Sequence, residues 1–315
     1  MEYRKLKNTD LTVSRLCVGG CPMGGYGWGQ VSRRELEEAV HAALDAGINF
    51  FDTADVYGLG QAELTLATAL GSRRKDVVIA GKFGVRRENG TTIYDNSPGW
   101  IRAACESSLR RLGTDVIDLY QLHYRDGVTP MEAVVDTLEA LRQEGKIRYF
   151  GLSNCGVDDL PELGAFVGRF ASLQLEYSLA RRENEGALQQ LAEELRLTPM
   201  TWGSLGQGIL TGKYTENSVF GPDDRRSRDQ YVNFHGEKLC RNIALVERMR
   251  PIAAVHGKPL SALALRFILD KLPDSVAICG MKRPQQLRDN VQALDWHLEA
   301  EELAYLDAVS GKKEV

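Results

Sequence analysis

No run of this sequence is long and apolar enough to span a bilayer, and its opening residues, Met1-Glu-Tyr-Arg-Lys-Leu-Lys, are charged from the second position. A membrane segment and a secretory leader are therefore not expected, and the sequence reads as that of a cytoplasmic protein. A large excess of one charge is also missing: 39 basic and 43 acidic residues leave a net charge of -4. That near-balance offers no general attraction to a phosphate backbone or an anionic lipid surface, so neither nucleic acid nor membrane is an expected partner. Cysteine is sparse, with six residues at Cys17, Cys21, Cys105, Cys155, Cys240 and Cys279. A chain of 315 residues has material for a core without disulfide staples, so reduced, mostly buried thiols are expected. Three residues separate Cys17 from Cys21, and no second Cys or His pair answers them, so a zinc site is not expected.

Glycine is plentiful, yet G-x-G-x-x-G occurs nowhere and G-x-x-x-x-G-K-[ST] is absent, so the two common glycine-rich phosphate motifs are excluded. Internal repeats, low-complexity tracts and a Pro/Gly/Ser linker are lacking too. What the chain does have is alternation. Apolar runs of strand length occur at 15–19, 49–53, 77–82, 116–123, 148–153, 173–177, 199–203 and 276–279, and segments of helical period lie between them. Eight such units without a linker predict one closed (β/α)8 barrel, a TIM barrel over residues 1–315, rather than two open sheets. The stretch from Tyr3 to Val18 reads as a short hairpin entering the first strand, placed to cover the end of the barrel opposite the reactive one. Helix ends are marked by Ser32-Arg-Arg-Glu35 and Thr129-Pro-Met-Glu132, both of capping-box form, by Ser97-Pro98, and by Gly47, Gly113 and Gly145 as left-handed stops. Two irregular stretches stand out, Gly19–Gly29 after the first strand and 215–238 after the seventh. Loops of that second length are usually functional or mobile.

Reactive groups of such a barrel sit at the carboxyl ends of its strands. The second strand ends in Asp52 with Tyr57 five residues on, the third ends in Lys82, and the fourth ends in His123. Period-two alternation places Phe50 with Asp52, Ala80 with Lys82, and Leu119 and Gln121 with His123, so the ionisable residues crown apolar ones. This set suits proton transfer to a carbonyl oxygen. An ammonium beside a phenol favours the phenolate, so Lys82 is expected to lower the pKa of Tyr57, with Asp52 holding the lysine and His123 orienting the carbonyl.

On these residues the sequence resembles the aldo-keto reductases, whose Asp, Tyr, Lys and His pattern matches Asp52, Tyr57, Lys82 and His123. The matching blocks run Gly47–Gly58, Ser107–His123, Gly145–Asn154, Gly208–Tyr214 and Gly280–Asn290, and the likeness covers nearly the whole chain. The resemblance implies reduction of an aldehyde, ketone or sugar carbonyl, or oxidation of the alcohol, with NADP(H), and with Tyr57 as general acid or base. It implies that Ser153, Asn154 and Gln174 bond the nicotinamide carboxamide and that Tyr177 stacks on its ring. Gly203, Leu205, Gly208 and Lys213 fall where the family wraps the pyrophosphate, and Gly280, Lys282, Arg283, Gln286, Asp289 and Asn290 where it grips the adenosine end. Lys282 and Arg283 immediately precede Pro284, a helix start, and such a position suits a phosphate. The sequence reads Thr201-Trp-Gly-Ser-Leu where relatives commonly have Tyr-Ser-Pro-Leu, and Gln286 stands where one branch carries an Arg, which leaves NAD(H) as the alternative cofactor.

Taken singly, the same residues have plainer readings. His41, His235, His256 and His297 read as structural, Asp55 as a loop residue or helix cap, and Arg86, Arg87 and Arg125 as solvated surface charge. Tyr26, Trp28, Tyr94, Trp100 and Tyr124 read either as walls of an apolar substrate pocket or as loop packing. Two other functions are consistent with a strand-end lysine in a barrel: a non-catalytic nucleotide-binding regulatory or redox-sensing subunit, and a lyase forming a Schiff base on Lys82.

Overall fold

Each of the eight apolar runs forms a strand: Leu16–Gly19, Phe50–Asp52, Val78–Phe83, Ile117–Leu122, Ile147–Ser153, Ser172–Glu176, Thr198–Trp202 and Val276–Gly280. In the computed structural model, which describes residues 1–311, neighbouring strands are all parallel and the eighth pairs with the first, closing a (β/α)8 barrel. The last four residues of the expected 1–315 unit lie outside the described residues.

Alternation along the strands divides the apolar side chains into two cores. Val18, Phe51, Ile79, Tyr120, Phe150 and Leu173 face outward against the helices, whereas Cys17, Phe50, Val78, Ala80, Leu119, Met200 and Val276 fill the barrel. Leu6, Leu11 and Val13 join the inner group. They come from the hairpin of Tyr3–Lys5 with Thr12–Ser14, which lies across the amino-terminal ends of the strands. Its turn is fastened there by the Lys7 N–H on Thr198 Oγ1 at 2.8 Å and by Asn8 Nδ2 on the Phe170 and Arg196 carbonyls at 2.8 and 3.0 Å. Each of these buried leucines contributes on the order of 1.5–3 kcal/mol of burial, and together they close the floor of the barrel.

The helix Arg33–Asp45 is capped by Ser32, whose side chain accepts the Glu35 N–H, and Pro98–Leu112 by Ser97, which accepts the Trp100 N–H. The third cap is built otherwise than the sequence predicts. The helix Met131–Gln143 begins one residue later, after Pro130, and Thr129 Oγ1 donates to Asp126 instead of capping it. The free Met131 N–H is taken by Glu162 Oε1 at 2.6 Å, from a distant part of the chain, so a tertiary contact replaces the local one. A second hairpin, Val85–Glu88 with Thr91–Tyr94, rises from the end of the third strand beside the mouth. No single helix among the described residues is long and apolar enough to cross a membrane.

At the floor, Glu2 bridges two guanidinium groups, with Oε2 2.7 Å from Arg15 Nη1 and Oε1 2.5 Å from Nη1 of the fully buried Arg266. Burial alone would raise the Glu2 carboxyl, but the hydrogen bonds and charges of the two arginines outweigh it and hold it below its ordinary value. A carboxyl depressed in the folded state stabilises at neutral pH, and that contribution is lost as pH falls through its folded pKa, below the ordinary value near 4. Glu2→Gln is therefore expected to cost about 1–2 kcal/mol at pH 7, since Arg266 keeps Asp270 at 2.8 Å, and to cost progressively less in acid. Urea unfolding at neutral pH and at about pH 3.5 measures both; an equal cost at the two values would remove the ion pair as the cause.

Candidate active site

Register sets the site. Asp52 ends the second strand opposite Ala80 of the third, and Lys82 stands two residues further up on the same face. Lys82 Nζ donates to Asp52 Oδ1, to the Thr53 carbonyl at 3.3 Å and to Tyr57 Oη at 3.4 Å, with the ammonium 1% and the carboxylate 4% exposed. The other carboxylate oxygen of Asp52 accepts from Gln121 Nε2 at 3.2 Å and Gln174 Nε2 at 2.9 Å. Tyr57 is held by its neighbour: Gly58 has φ +60°, and a Cβ there would lie 2.3 Å from the Gly24 carbonyl oxygen, so two loop backbones meet only because neither residue has a side chain. His123 follows the fourth strand, with its N–H on the Phe83 carbonyl, and its ring lies edge-on to Tyr57 at 5.8 Å. Asp52, Tyr57 and His123 line a cavity of about 970 Å³ at the mouth, and Lys82 lies beneath it.

The electrostatics differ from the sequence expectation in one respect. Burial, and then the charge of Asp52, raise the Tyr57 phenol above its usual value, so the acidifying effect expected of Lys82 does not prevail in this state. The reason is pairing: the Lys82 charge is largely answered by Asp52. Burial, and then Lys82, push His123 well below its usual pKa, so the imidazole is neutral, and its Nδ1 is buried without a partner. The ammonium is in no position to attack a carbonyl while it is buried and ion-paired, which removes the support for a Schiff-base lyase.

The residues expected to meet a cofactor fall into three groups. Ser153, Asn154 and Gln174 line the cavity, joined by Ser153 Oγ on the Gln174 carbonyl at 3.0 Å and Asn154 Nδ2 on Ser153 Oγ at 3.1 Å. Gly203, Leu205, Gly208, Lys213, Gly280, Lys282 and Gln286 line it as well, and the Gln286 side chain accepts the Lys282 N–H at 2.7 Å. Tyr177, Arg283, Asp289 and Asn290 do not. Tyr177 faces outward with Leu173 and Leu175, in the core between barrel and helices, its hydroxyl on Glu185 at 3.1 Å; strand parity puts it on the face opposite Gln174. The aromatic at the mouth is Trp202, whose Nε1 donates to Asn154 Oδ1 at 3.1 Å. Arg283 is exposed and paired with Glu35, and Asp289 accepts from Gln285 on the helix Pro284–Val291. Asn290 is buried behind the wall with its Nδ2 unpartnered.

Sequence reasoning missed Gln121, Ser172 and Trp202, although all three have inward parity on their strands. It also missed what the 215–238 loop contributes. Arg225, Arg226 and Tyr231 from that loop lie on the cavity, and the Arg225 N–H donates to the Gly27 carbonyl at 2.9 Å, fastening the loop to the one after the first strand. Tyr26, Trp28, Tyr94 and Tyr124 line the cavity too, whereas Trp100 packs against the outer core. Each of the remaining histidines is held by a structural hydrogen bond: His41 to the Ala69 carbonyl, His235 to the Arg228 carbonyl, His256 to Glu302 and His297 to Asp270.

A buried ion pair crowned by a phenol and a neutral imidazole, at the carboxyl end of a (β/α)8 barrel, is the arrangement of a carbonyl oxidoreductase. The sequence profile of the Aldo/keto reductase family matches residues 15–310, and the chain belongs to that family. It is 33% identical over 305 residues to the aldo-keto reductase YhdN of Bacillus subtilis, covering 96% of this chain and 91% of that one. Among solved structures it resembles the glycerol dehydrogenase AKR11B4 of Gluconobacter oxydans, with a TM-score of 0.88 at 32% identity over 98% of this chain and 94% of that one. It also resembles an aldo-keto reductase of Klebsiella pneumoniae in complex with NADPH, with a TM-score of 0.76 at 27% identity over 100% and 98% of the two chains.

Close to Tyr57 in the chain, the half-buried Asp55 and the fully buried Glu63 each have one carboxylate oxygen unpartnered, and of the two Arg111 bonds only Glu63. Burial, and then the Glu63 charge, raise Asp55 to about 7. A carboxyl raised in the folded state binds its proton more tightly there than in the unfolded chain, so stability falls as pH rises from near 4 toward 7. Asp55→Asn should abolish that decline. Denaturant midpoints compared at about pH 5 and pH 8 read the slope, and parallel slopes for the two proteins would place the titration elsewhere.

Proposed function

We propose that Tyr57 gives the carbonyl oxygen its proton in an NADP(H)-dependent reduction of an aldehyde, ketone or sugar carbonyl, and takes it back in the reverse direction. The bound nicotinamide supplies or receives the hydride. As the carbonyl carbon gains a hydrogen its oxygen becomes an alkoxide, a far stronger base than a phenolate, and the proton passes to it from Tyr57 Oη. The raised phenol is suited to this role, because the acid is fully protonated before the reaction begins. Lys82, 3.4 Å from the phenol oxygen, stabilises the phenolate that remains, and Asp52 fixes the lysine. His123, neutral and unprotonated at its second nitrogen, orients the carbonyl through one ring N–H without adding a cation. The observation that carries the reading is the contact of Tyr57 with the buried Lys82–Asp52 pair at the wall of the cavity.

The residues fit the cofactor. Lys213, Arg226 and Lys282 converge on one end of the cavity, and burial, then Arg226, Lys213 and Arg283, lower the Lys282 pKa; gathered cations of this kind suit phosphate groups. Lys282 also begins the approach to the helix Pro284–Val291. Trp202, in the place of the tyrosine of the relatives' Tyr-Ser-Pro-Leu block, would take the stacking role first assigned to Tyr177, and Ser153, Asn154 and Gln174 would hold the carboxamide. All six cysteines are unpaired thiols, in keeping with a reducing compartment such as the cytoplasm.

Replacing Tyr57 by Phe should slow single-turnover hydride transfer at saturating NADPH by about 10²–10⁴. Lys82→Met should slow it as well and shift the basic limb of the alcohol-oxidation profile upward, since the ammonium no longer favours phenolate. A Tyr57→Phe enzyme with the wild-type chemical rate would sink the mechanism. For the cofactor, Lys282→Ala should weaken NADPH by about 1–3 kcal/mol and NADH by much less, and Arg283→Ala should do little. Trp202→Ala should weaken both cofactors and Tyr177→Phe neither. Fluorescence titration of the four variants separates these outcomes.

A further inference from the structure

The 215–238 loop brings two adjacent arginines to the cavity, and they are not equivalent. Arg226 is buried and ion-paired with Asp224. Arg225 is half-buried, and among the described residues no carboxylate pairs with it. Its guanidinium lies over the rings of Tyr26 and Trp28, 5.6 and 5.9 Å from their centres, and Nη1 is 3.8 Å from Cys21 Sγ, a thiol that burial keeps protonated. Its Nε is buried with no hydrogen-bond partner.

The seat is constructed. Gly27, at φ +81°, would with a Cβ lie 2.5 Å from Arg225 Nε, so the glycine leaves the space the guanidinium fills. The rings of Tyr26 and Trp28 and the Arg225 N–H on the Gly27 carbonyl then fix the group. Cation–π contacts, the Cys21 thiol and a hydrogen bond with Tyr231 offset part of the cost of removing the guanidinium from water, but none of them neutralises its charge. A half-buried cation on a cavity wall with no carboxylate to answer it attracts an anion that enters the cavity.

Which anion follows from position. Arg225 meets Cys21, in the turn Cys21–Gly24 whose Gly24 abuts Tyr57 and Gly58, whereas Arg226 and Lys213 meet at Tyr214; Trp28, whose carbonyl accepts Lys282 Nζ at 2.6 Å, lies between the two groups. Arg226 thus belongs to the phosphate end and Arg225 to the end where the acid stands. We propose that Arg225 is the recognition residue for an anionic substituent of the substrate, so that the preferred carbonyl compound carries a carboxylate or phosphate on the arm opposite the reacting carbon. This rests on the oxidoreductase reading above. Tyr26, Trp28 and Tyr124 would flank the body of such a molecule between Tyr57 and Arg225.

The test compares matched substrates at saturating NADPH: 4-carboxybenzaldehyde against 4-methylbenzaldehyde, and glyceraldehyde 3-phosphate against glyceraldehyde. The expected result is that wild-type kcat/KM favours the anionic member of at least one pair by tenfold or more; the pair that shows it distinguishes carboxylate from phosphate. Arg225→Met should reduce that ratio at least tenfold, and Arg225→Lys should keep part of it. A wild-type ratio near one in both pairs overturns the proposal, as does a ratio unmoved in Arg225→Met. A tenfold loss of NADPH affinity with the ratio unmoved would assign Arg225 to the cofactor instead. Benzoate affinity for the NADPH complex, read by cofactor fluorescence with benzamide as control, probes the seat without turnover. Failure to reduce any aldehyde with either cofactor would count against the oxidoreductase reading, and benzoate affinity in wild type and Arg225→Met would still decide the role of Arg225.

Discussion

Two opposite charges taken out of water inside the barrel govern how the rest of the mouth is arranged. Lys82 and Asp52 are almost completely buried, and the attraction between them covers their desolvation only if the remaining lone pairs and protons are also satisfied. The structure meets that condition with Gln121 and Gln174 on the carboxylate and with the Thr53 carbonyl and Tyr57 hydroxyl on the ammonium. Four strands, the second, third, fourth and sixth, are thereby committed to one polar layer, with the apolar plug below and the cavity above. Burial raises the phenol, and the same pairing explains why nothing counters it: the cation that would acidify it is already engaged.

The architecture was readable because period-two runs and helical runs alternate eight times, and because the reactive residues stand at strand ends where parity points them inward. The cofactor wall was less so. Gln174 and Tyr177 are three positions apart and so cannot share a face of one strand, while Met200 and Trp202 do share one; parity alone would have chosen the tryptophan. Thr129 had the local pattern of a cap but lost it to Asp126 and Glu162, contacts between distant residues that no local motif records. Lys282 and Arg283 are neighbours of like charge, and only the fold shows that one faces the cavity and the other Glu35.

The long loop after the seventh strand shows a different limit. Its length marked it as functional, but its useful residues are defined by what they meet on the loop after the first strand, more than 190 positions earlier. Arg225 reaches Gly27, Arg228 reaches Tyr26 and the ring of Tyr231 meets Trp28 edge-on. One wall of the cavity is thus built from two loops, each uninformative without the other.

The hairpin that plugs the amino-terminal end makes the barrel a vessel with a single opening. Leu6, Leu11 and Val13 make that floor apolar, an unfavourable route for water. In the mechanism proposed above, each proton returned to Tyr57 then enters by the same doorway as the reactants, or waits until that doorway clears. Resetting the acid would be part of product departure, and the exchange of protons with solvent would keep time with the opening of the mouth.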